Sequence, residues 1–300
     1  MKEIVVVSGK GGVGKTTITS SLAYYFYKKG VKLIAADTDV DAPNLALVLW
    51  GEKLESNTVK AAEVAEILYD KCDGCGECIK YCKEDALVWD SEKEKPIVLK
   101  FLCEGCGACA VVCPNNAIEM KLYDNASIDL IKSNYGFLVV TGRLRIGGAN
   151  SGRIVSLVKM KARAIAIKEG LDVILIDGPP GSSCPAISSV AGSNYVILVS
   201  EPTPTAIRDL SKIFAIVDHF GIKSGLIINK CDLNARYREE LIKFSEENDI
   251  ELLGEIPLDD EVPRSIAHAV PLLEYSPDTP ASKALTKIGS VILNEILPSI

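Results

Sequence analysis

The sequence lacks long apolar runs and basic blocks. No stretch approaches the roughly 18 apolar residues of a membrane-spanning helix, and the first apolar run ends at Ser8. Acidic residues outnumber basic ones by 40 to 33, which gives a net charge of −7. This balance disfavours nucleic acid as a partner. We therefore expect a soluble, cytoplasmic protein with no stable membrane anchor.

Histidine is scarce, whereas cysteine is abundant. The two histidines, His219 and His268, have no partner at metal-ligand spacing. Eight of the ten cysteines lie between Cys72 and Cys113. In a chain that shows no export signal, so many closely spaced thiols indicate metal ligation rather than disulfides. The solitary Cys184 and Cys231 are predicted to be packing residues.

Apolar strands alternate with helices over most of the 300 residues. This rhythm predicts an α/β fold with a doubly wound, mostly parallel sheet that helices cover on both faces. Strands are expected at 2–8, 32–36, 173–177, 195–200, 224–229 and 251–256. Helices are expected at 14–29, 152–168, 205–220, 235–248 and about 279–297, and the last is expected to pack against the sheet.

The rhythm breaks between residues 66 and 120, where cysteines surround two short strand-like runs at 86–89 and 97–99. We predict that 66–120 is a small α+β domain inserted into a main domain formed by 1–65 and 121–300. Residues 121–150 contain several glycines, Gly136, Gly142, Gly147 and Gly148, and predict irregular strands and turns.

A glycine-rich loop lies between the first predicted strand and helix. Its sequence from Gly9 to Thr16 matches the phosphate-loop pattern, in which backbone N–H groups converge on phosphate oxygens at a helix N-terminus. Lys15 is expected to neutralise the terminal phosphates and Thr16 to ligate Mg²⁺. The predicted nucleotide contacts are Gly9, Lys10, Gly11, Gly12, Val13, Gly14, Lys15, Thr16 and Thr17.

An extra lysine, Lys10, makes this loop GKGGVGKTT. The string resembles the deviant Walker A motif of the MinD/ParA/Mrp group of P-loop ATPases. The resemblance implies an ATP-hydrolysing homodimer in which Lys10 reaches the nucleotide of the partner subunit and acts in catalysis with Lys15. The alternative for Lys10 is an exposed lysine that only makes the turn soluble.

Acidic residues follow two of the predicted strands, at the edge where open parallel sheets bind ligands. Asp37 and Asp39 resemble the first switch of that group, which implies that Asp39 orients the attacking water. Asp177, before a Gly-Pro-Pro-Gly string, resembles the second switch. The predicted Mg²⁺ residues are Thr16, Asp37 and Asp177.

A third motif follows the strand expected at 224–229. The string Asn229-Lys230-Cys231-Asp232 resembles the base-recognition motif of P-loop nucleotidases. We expect Asn229 in the base pocket. The Lys10 pattern belongs to a group that uses ATP, so ATP is favoured, and GTP stays open.

The clustered cysteines form two runs with the same spacing, Cys72, Cys75, Cys78, Cys82 and Cys103, Cys106, Cys109, Cys113. Such a duplicated run is typical of a bacterial two-cluster ferredoxin, in which the fourth cysteine of each run ligates the other cluster. We therefore assign Cys72, Cys75, Cys78 and Cys113 to one [4Fe-4S] cluster. Cys103, Cys106, Cys109 and Cys82 are assigned to the second. Zinc in paired-cysteine sites is the alternative.

Taken together, the motifs resemble MinD-superfamily ATPases that contain an inserted ferredoxin domain. The leading hypothesis is that the ATP state is coupled to electron transfer through the two clusters, to an unknown redox partner. One alternative is an assembly ATPase that loads a metal or cluster into a client protein. Another is a positioning ATPase of the MinD/ParA kind.

Overall fold

The computed structural model describes residues 1–145 and 152–300. Its strands in chain order are β1 (Lys2–Ser8), β2 (Leu33–Asp37), β3 (Gly51–Ile67), β4 (Leu87–Asp90), β5 (Lys95–Val98), β6 (Ile118–Ser133), β7 (Leu138–Leu144), β8 (Val173–Pro180), β9 (Tyr195–Ser200), β10 (Ser224–Asn229) and β11 (Glu251–Ile256).

The α-helices are α1 (Lys15–Lys28), α2 (Leu45–Val48), α3 (Glu77–Lys80), α4 (Ala108–Val112), α5 (Gly152–Glu169), α6 (Cys184–Val190), α7 (Pro204–His219), α8 (Ala235–Glu247), α9 (Glu261–Ala267), α10 (Leu272–Tyr275), α11 (Pro280–Val291) and α12 (Leu297–Ser299). A π-helical segment, Ile292–Ile296, joins the last two. Across both described ranges, no helix is long and apolar enough to cross a membrane.

Within residues 1–145 and 152–300, nine strands form the main sheet in the order β11-β10-β9-β1-β8-β2-β7-β6-β3. The strands from β11 to β7 are parallel, and β6 and β3 extend the sheet as antiparallel strands. The predicted mostly parallel α/β sheet is therefore confirmed. Its central strands are buried on both faces, which is why they read as continuous apolar runs.

Two apolar layers cover the sheet. Side chains alternate along each strand, so Ile4 and Val6 face one layer and Val5 and Val7 face the other. The first layer contains Phe26 of α1 and residues of α11, and the second contains residues of α5, α7 and α8. The terminal helix lies in the first layer, where Ile292 of the π-helical segment is fully buried.

A long antiparallel ribbon, formed by β3 and β6, replaces the irregular structure expected for 121–150. Its register runs from Gly51 opposite Ser133 to Ile67 opposite Ile118. The turn expected at Gly136 is present, but Gly142 lies within β7. Gly147 and Gly148 lie outside the described residues. The expectation was wrong because much of the ribbon is exposed and charged, so its strands lack an apolar pattern.

The cysteine-rich residues form a small lobe at the far end of this ribbon. β4 and β5 pair as an antiparallel hairpin close to the two short strands expected there. Helices α3 and α4 pack on each other, and the lobe has its own apolar cluster with Ile67, Leu87 and Ile118. The ribbon places the lobe away from the parallel part of the main sheet.

Candidate functional site

The glycine-rich loop joins β1 to α1 in a tight bend. Gly14, immediately before α1, has φ of 99°, a conformation that favours glycine. Gly9 lies against α7, and a Cβ atom there would be 2.1 Å from the backbone carbon of Asp209. The loop thus has no room for a side chain at Gly9. Close packing at Gly9 and the positive φ of Gly14 constrain the conformation of the loop at both of its ends.

A cavity of about 480 Å³ opens beside this loop. It is lined by many of the predicted nucleotide residues, namely Gly11, Gly12, Gly14, Lys15, Thr16, Thr17 and Asp39. It is also lined by residues that the sequence did not single out, including Asp41, Asn44, Pro180, Ser183 and Ile266. The cavity combines backbone N–H groups, a buried lysine and carboxylates, which suits a phosphate with a divalent cation.

Asp177 contacts the N-terminal part of α1. The hydroxyl of Thr16 donates to its Oδ2 at 2.6 Å, and the hydroxyl of Thr19 donates to its Oδ1 at 3.1 Å. Burial raises the pKa of Asp177 to about 6, although the charge of Lys15 and these hydroxyls act in the opposite direction. Two of the three predicted Mg²⁺ residues, Thr16 and Asp177, are therefore in direct contact, and their oxygens fit a hard cation.

Asp37 lies behind the cavity rather than in its lining. Its Oδ2 accepts from the backbone N–H of Leu45 at 2.9 Å, and its Oδ1 accepts from that of Asp39 at 3.2 Å. Burial, followed by the charge of Asp177, raises its pKa well above the usual range. In this arrangement Asp37 shapes the loop between β2 and α2.

Asp39 itself lines the cavity. Burial raises its pKa, and the charge of Lys15 opposes the shift. The loop that carries Asp39 is held to β8 by Thr38, whose backbone N–H and hydroxyl both donate to the carbonyl of Asp177. The two acidic segments are therefore linked at the same edge of the sheet, as the strand order requires.

Asn229 supports the phosphate loop. Its Nδ2 donates to the carbonyl oxygen of Val13 at 2.7 Å, and its Oδ1 accepts from the backbone N–H of Lys230. A role for Asn229 in base recognition stays a prediction.

The side chain of Lys10 contacts a residue that the sequence analysis did not identify. Its Nζ is 3.2 Å from Oε1 of Glu201, which follows β9. Because Glu201 is 191 residues away along the chain, only the strand order, with β9 next to β1, reveals the pairing.

The eight clustered cysteines line two separate cavities in the lobe. One cavity is lined by Cys72, Cys75, Cys78 and Cys113. The other is lined by Cys82, Cys103, Cys106 and Cys109. This grouping has the same crossed composition as the two predicted ligand sets.

The two cavities have matching local geometry. The backbone N–H of Ala86 donates to Sγ of Cys82 at 3.3 Å, and that of Ala117 donates to Sγ of Cys113 at 3.2 Å. Gly76 and Gly107, which precede α3 and α4, have φ of 73° and 75°. In the described ranges, no three His, Cys, Asp or Glu side chains form a group that could hold a metal ion.

The ribbon sets the order of the two cavities. Ala65 pairs with Met120, and both line the cavity that contains Cys103. Ile67 pairs with Ile118 two residues further along, and both line the cavity that contains Cys72. Two residues advance a strand by about 7 Å. The Cys103 cavity is therefore nearer the main sheet.

The fold and the cavity beside the loop define a P-loop nucleotide-binding protein. The sequence profile of the CobQ/CobB/MinD/ParA nucleotide binding domain matches residues 4–272. The chain therefore belongs to this family, as the resemblance to the MinD/ParA group predicted.

Similar proteins cover nearly the whole chain. An uncharacterized protein of Methanocaldococcus jannaschii is 33% identical over 279 residues, which are 91% of this chain and 90% of that protein. The chloroplastic MinD homolog of Arabidopsis thaliana is 26% identical and matches 94% of this chain and 71% of its own. The septum site-determining protein MinD of Pyrococcus horikoshii, solved with Mg-ADP, superposes with a TM-score of 0.59 and 21% identity, covering 100% and 99% of the two chains. The structural likeness supports the fold.

Proposed function

We propose that this chain is a Mg²⁺-dependent ATPase whose nucleotide state is coupled to two [4Fe-4S] clusters in the lobe. The observation that carries the nucleotide part is the contact between Thr16 and Asp177 at the edge of a cavity lined by Lys15. The Mg-ADP complex of the Pyrococcus MinD and the family membership support ATP as the ligand.

Within this proposal, each nucleotide residue has a role. The backbone of residues 9–14 and Lys15 bind the phosphates, and Thr16 with Asp177 holds Mg²⁺. Asp37 orders the loop that carries Asp39, and Asp39 orients the attacking water. Lys10 completes the site of a partner subunit in a homodimer that closes on ATP.

The lobe is proposed as a two-cluster domain formed by residues 68–117. Its support is the division of eight cysteines into two cavities of four, each with a backbone N–H directed at a cysteine sulfur. The clusters would supply one-electron chemistry.

The connection between the two sites supports coupling. The loop with Asp39 and Asn44 lines the nucleotide cavity and leads through α2 into β3, which continues to the lobe. A movement of this loop on ATP binding therefore acts at the base of the ribbon.

Anaerobic purification followed by iron, sulfide and zinc analysis tests the cluster part. The proposal expects about eight irons and eight sulfides per chain, together with Mg²⁺-dependent ATP binding. Stoichiometric zinc without iron would refute the clusters and leave the nucleotide site intact.

Cluster or metal delivery to a client is a second candidate. Each cavity has one solvent-exposed cysteine, Cys75 in one and Cys106 in the other, which gives an acceptor thiol access to one ligand. This function predicts that an apo-ferredoxin acceptor gains iron and sulfide while this protein loses its chromophore. Retention of the chromophore during repeated redox cycling supports the electron-transfer proposal instead.

A further inference from the structure

Three charged side chains lie side by side at the carboxyl edge of the main sheet. Lys10 follows β1, Glu201 follows β9 and Lys230 follows β10, and these three strands are adjacent. Lys10 Nζ is 3.2 Å from Oε1 of Glu201, and Lys230 Nζ is 2.8 Å from Oε2. One carboxylate thus binds two ammonium groups, an arrangement that we call the Glu201 bridge.

The side chain of Lys10 contacts Glu201 and does not line the phosphate cavity described for its own chain. Lys10 is absent from the cavity lining as described for residues 1–145 and 152–300, whereas its neighbours Gly11 and Gly12 line it. The side chain of Glu201 is only 9% exposed, but that of Lys10 is 42% exposed. Burial therefore restricts the side chain of Glu201, whereas the more exposed side chain of Lys10 has room to change its conformation.

The electrostatics favour an ionised Glu201. Burial opposes its ionisation, but the hydrogen bonds and charges of Lys230 and Lys10 outweigh burial and lower its pKa. Lys230 is also 3.3 Å from the carbonyl oxygen of Gly12. If Lys10 leaves, Glu201 still has one cation, so no buried charge is left unpaired.

We propose that Glu201 is a positioning residue that holds Lys10 away from the phosphates in the nucleotide-free chain and releases it when a triphosphate is present. The inference rests on the proposed ATP binding. A triphosphate in the site of the partner subunit carries several negative charges and strong acceptor oxygens, so it competes with a single carboxylate for the ammonium group. Lys230 keeps Glu201 in place for the return of Lys10.

Amine-reactive labelling followed by mass spectrometry measures this contact directly in the full-length, nucleotide-free protein. Glu201→Gln keeps the size of the side chain and removes its charge. We expect the labelling rate of Lys10 to rise about threefold to fivefold, as the loss of one partly exposed ion pair allows. Equal rates of Lys10 labelling in the two proteins would overturn the proposal.

Asp209→Asn is the matched control. Asp209 also acts electrostatically on Lys10, but its carboxylate pairs with Lys212 at 2.8 Å. We expect faster labelling of Lys212 and no change at Lys10. A similar increase in the labelling rate of Lys10 in both variants would show that Lys10 responds to any nearby negative charge, and it would contradict a specific bridge with Glu201.

A second variant gives a change of opposite sign. In Lys230→Gln, Lys10 is the remaining cation of the bridge and is held more tightly by Glu201. The labelling rate of Lys10 is therefore expected to fall about twofold. Faster labelling would contradict the bridge. ATP binding is measured separately. If the protein binds ATP but the variants show no change in the labelling rate of Lys10, the bridge alone is refuted. If the labelling rates change as expected but the protein does not bind ATP, the proposed function alone is refuted.

Discussion

Asp177 joins three parts of the nucleotide cavity. Its carboxylate accepts hydrogen bonds from Thr16 and Thr19 of α1, and its carbonyl oxygen accepts from Thr38 after β2. It is almost completely buried, and its pKa is raised to about 6 from 3.8, chiefly by burial. A buried carboxylate that is costly to ionise and lies beside the proposed Mg²⁺ site is expected to serve ligand binding rather than stability.

Asp177→Asn is expected to weaken Mg-ATP binding at least about tenfold, because the oxygen that orders the cation is replaced by an amide. The same change should raise the free energy of unfolding of the nucleotide-free protein at pH 7 by about 3 kcal/mol, because the costly charge is gone. Calorimetric titration and urea denaturation measure the two effects.

Asp129→Asn is the control for this prediction. Asp129 is also buried, but it lies on the ribbon, and hydrogen bonds from Lys53 and Ser56 overcome burial and lower its pKa. Its substitution should lower the free energy of unfolding and leave Mg-ATP binding unchanged. Unchanged Mg-ATP affinity in Asp177→Asn would contradict the assigned role.

The raised pKa of Asp177 also predicts a pH dependence. Because the folded state holds the proton more tightly than the unfolded state, the contribution of Asp177 to stability falls as pH rises from about 4 to 6. Mg-ATP affinity should rise over pH 5 to 7, since the carboxylate must be ionised to hold the cation. ATP itself titrates in the same way in experiments with the wild type and with Asp177→Asn. The difference between their pH profiles of Mg-ATP affinity therefore reports on Asp177 alone. Parallel profiles would contradict the assignment.

At the scale of elements, contacts with the ribbon determine the position of the lobe. Gly105, beside Cys106, packs on the ribbon, and a Cβ atom there would lie 2.4 Å from the carbonyl oxygen of Glu63. Gly107, two residues on, has nothing within 4 Å of that position. Both have positive φ, 70° and 75°, so the two glycines differ in packing and not in backbone conformation.

Gly105→Ala should therefore disturb the cavity nearer the sheet, because the lobe must shift to remove the clash. The iron content is expected to fall to about half of the wild-type value. Gly107→Ala incurs the same backbone strain, of about 1–2 kcal/mol, and should keep its iron. Equal iron loss in the two variants would show that strain, and not contact with the ribbon, controls the lobe. Iron analysis and thermal denaturation decide between these outcomes.

The elements also show what the sequence could and could not reveal. β1, β9, β10 and β11 are buried strands with continuous apolar runs, and their bounds were predicted to the residue. β3 and β6 were missed because many of their residues are exposed and because each pairs with a strand tens of residues away. The same limit hid Glu201, because its partner Lys10 follows the neighbouring strand β1 and is distant in sequence.

At the scale of the whole molecule, the nucleotide cavity and the lobe are joined by one continuous path of chain. The path begins at the loop with Asp39, passes through α2 and follows β3 to the cysteines. The main sheet holds one end of the ribbon through β7, which pairs with both β6 and β2. In the proposed function, the ribbon is the physical link through which the nucleotide state would act on the lobe.

Stopped-flow reduction of the anaerobically purified protein, with and without Mg-ATP, tests that link most directly. The account predicts a brown iron–sulfur chromophore whose reduction rate changes at least about twofold with Mg-ATP, a difference of about 0.4 kcal/mol in the barrier. Asp177→Asn, which keeps the lobe intact, should show no change. A wild-type reduction rate that is the same with and without Mg-ATP would contradict the account.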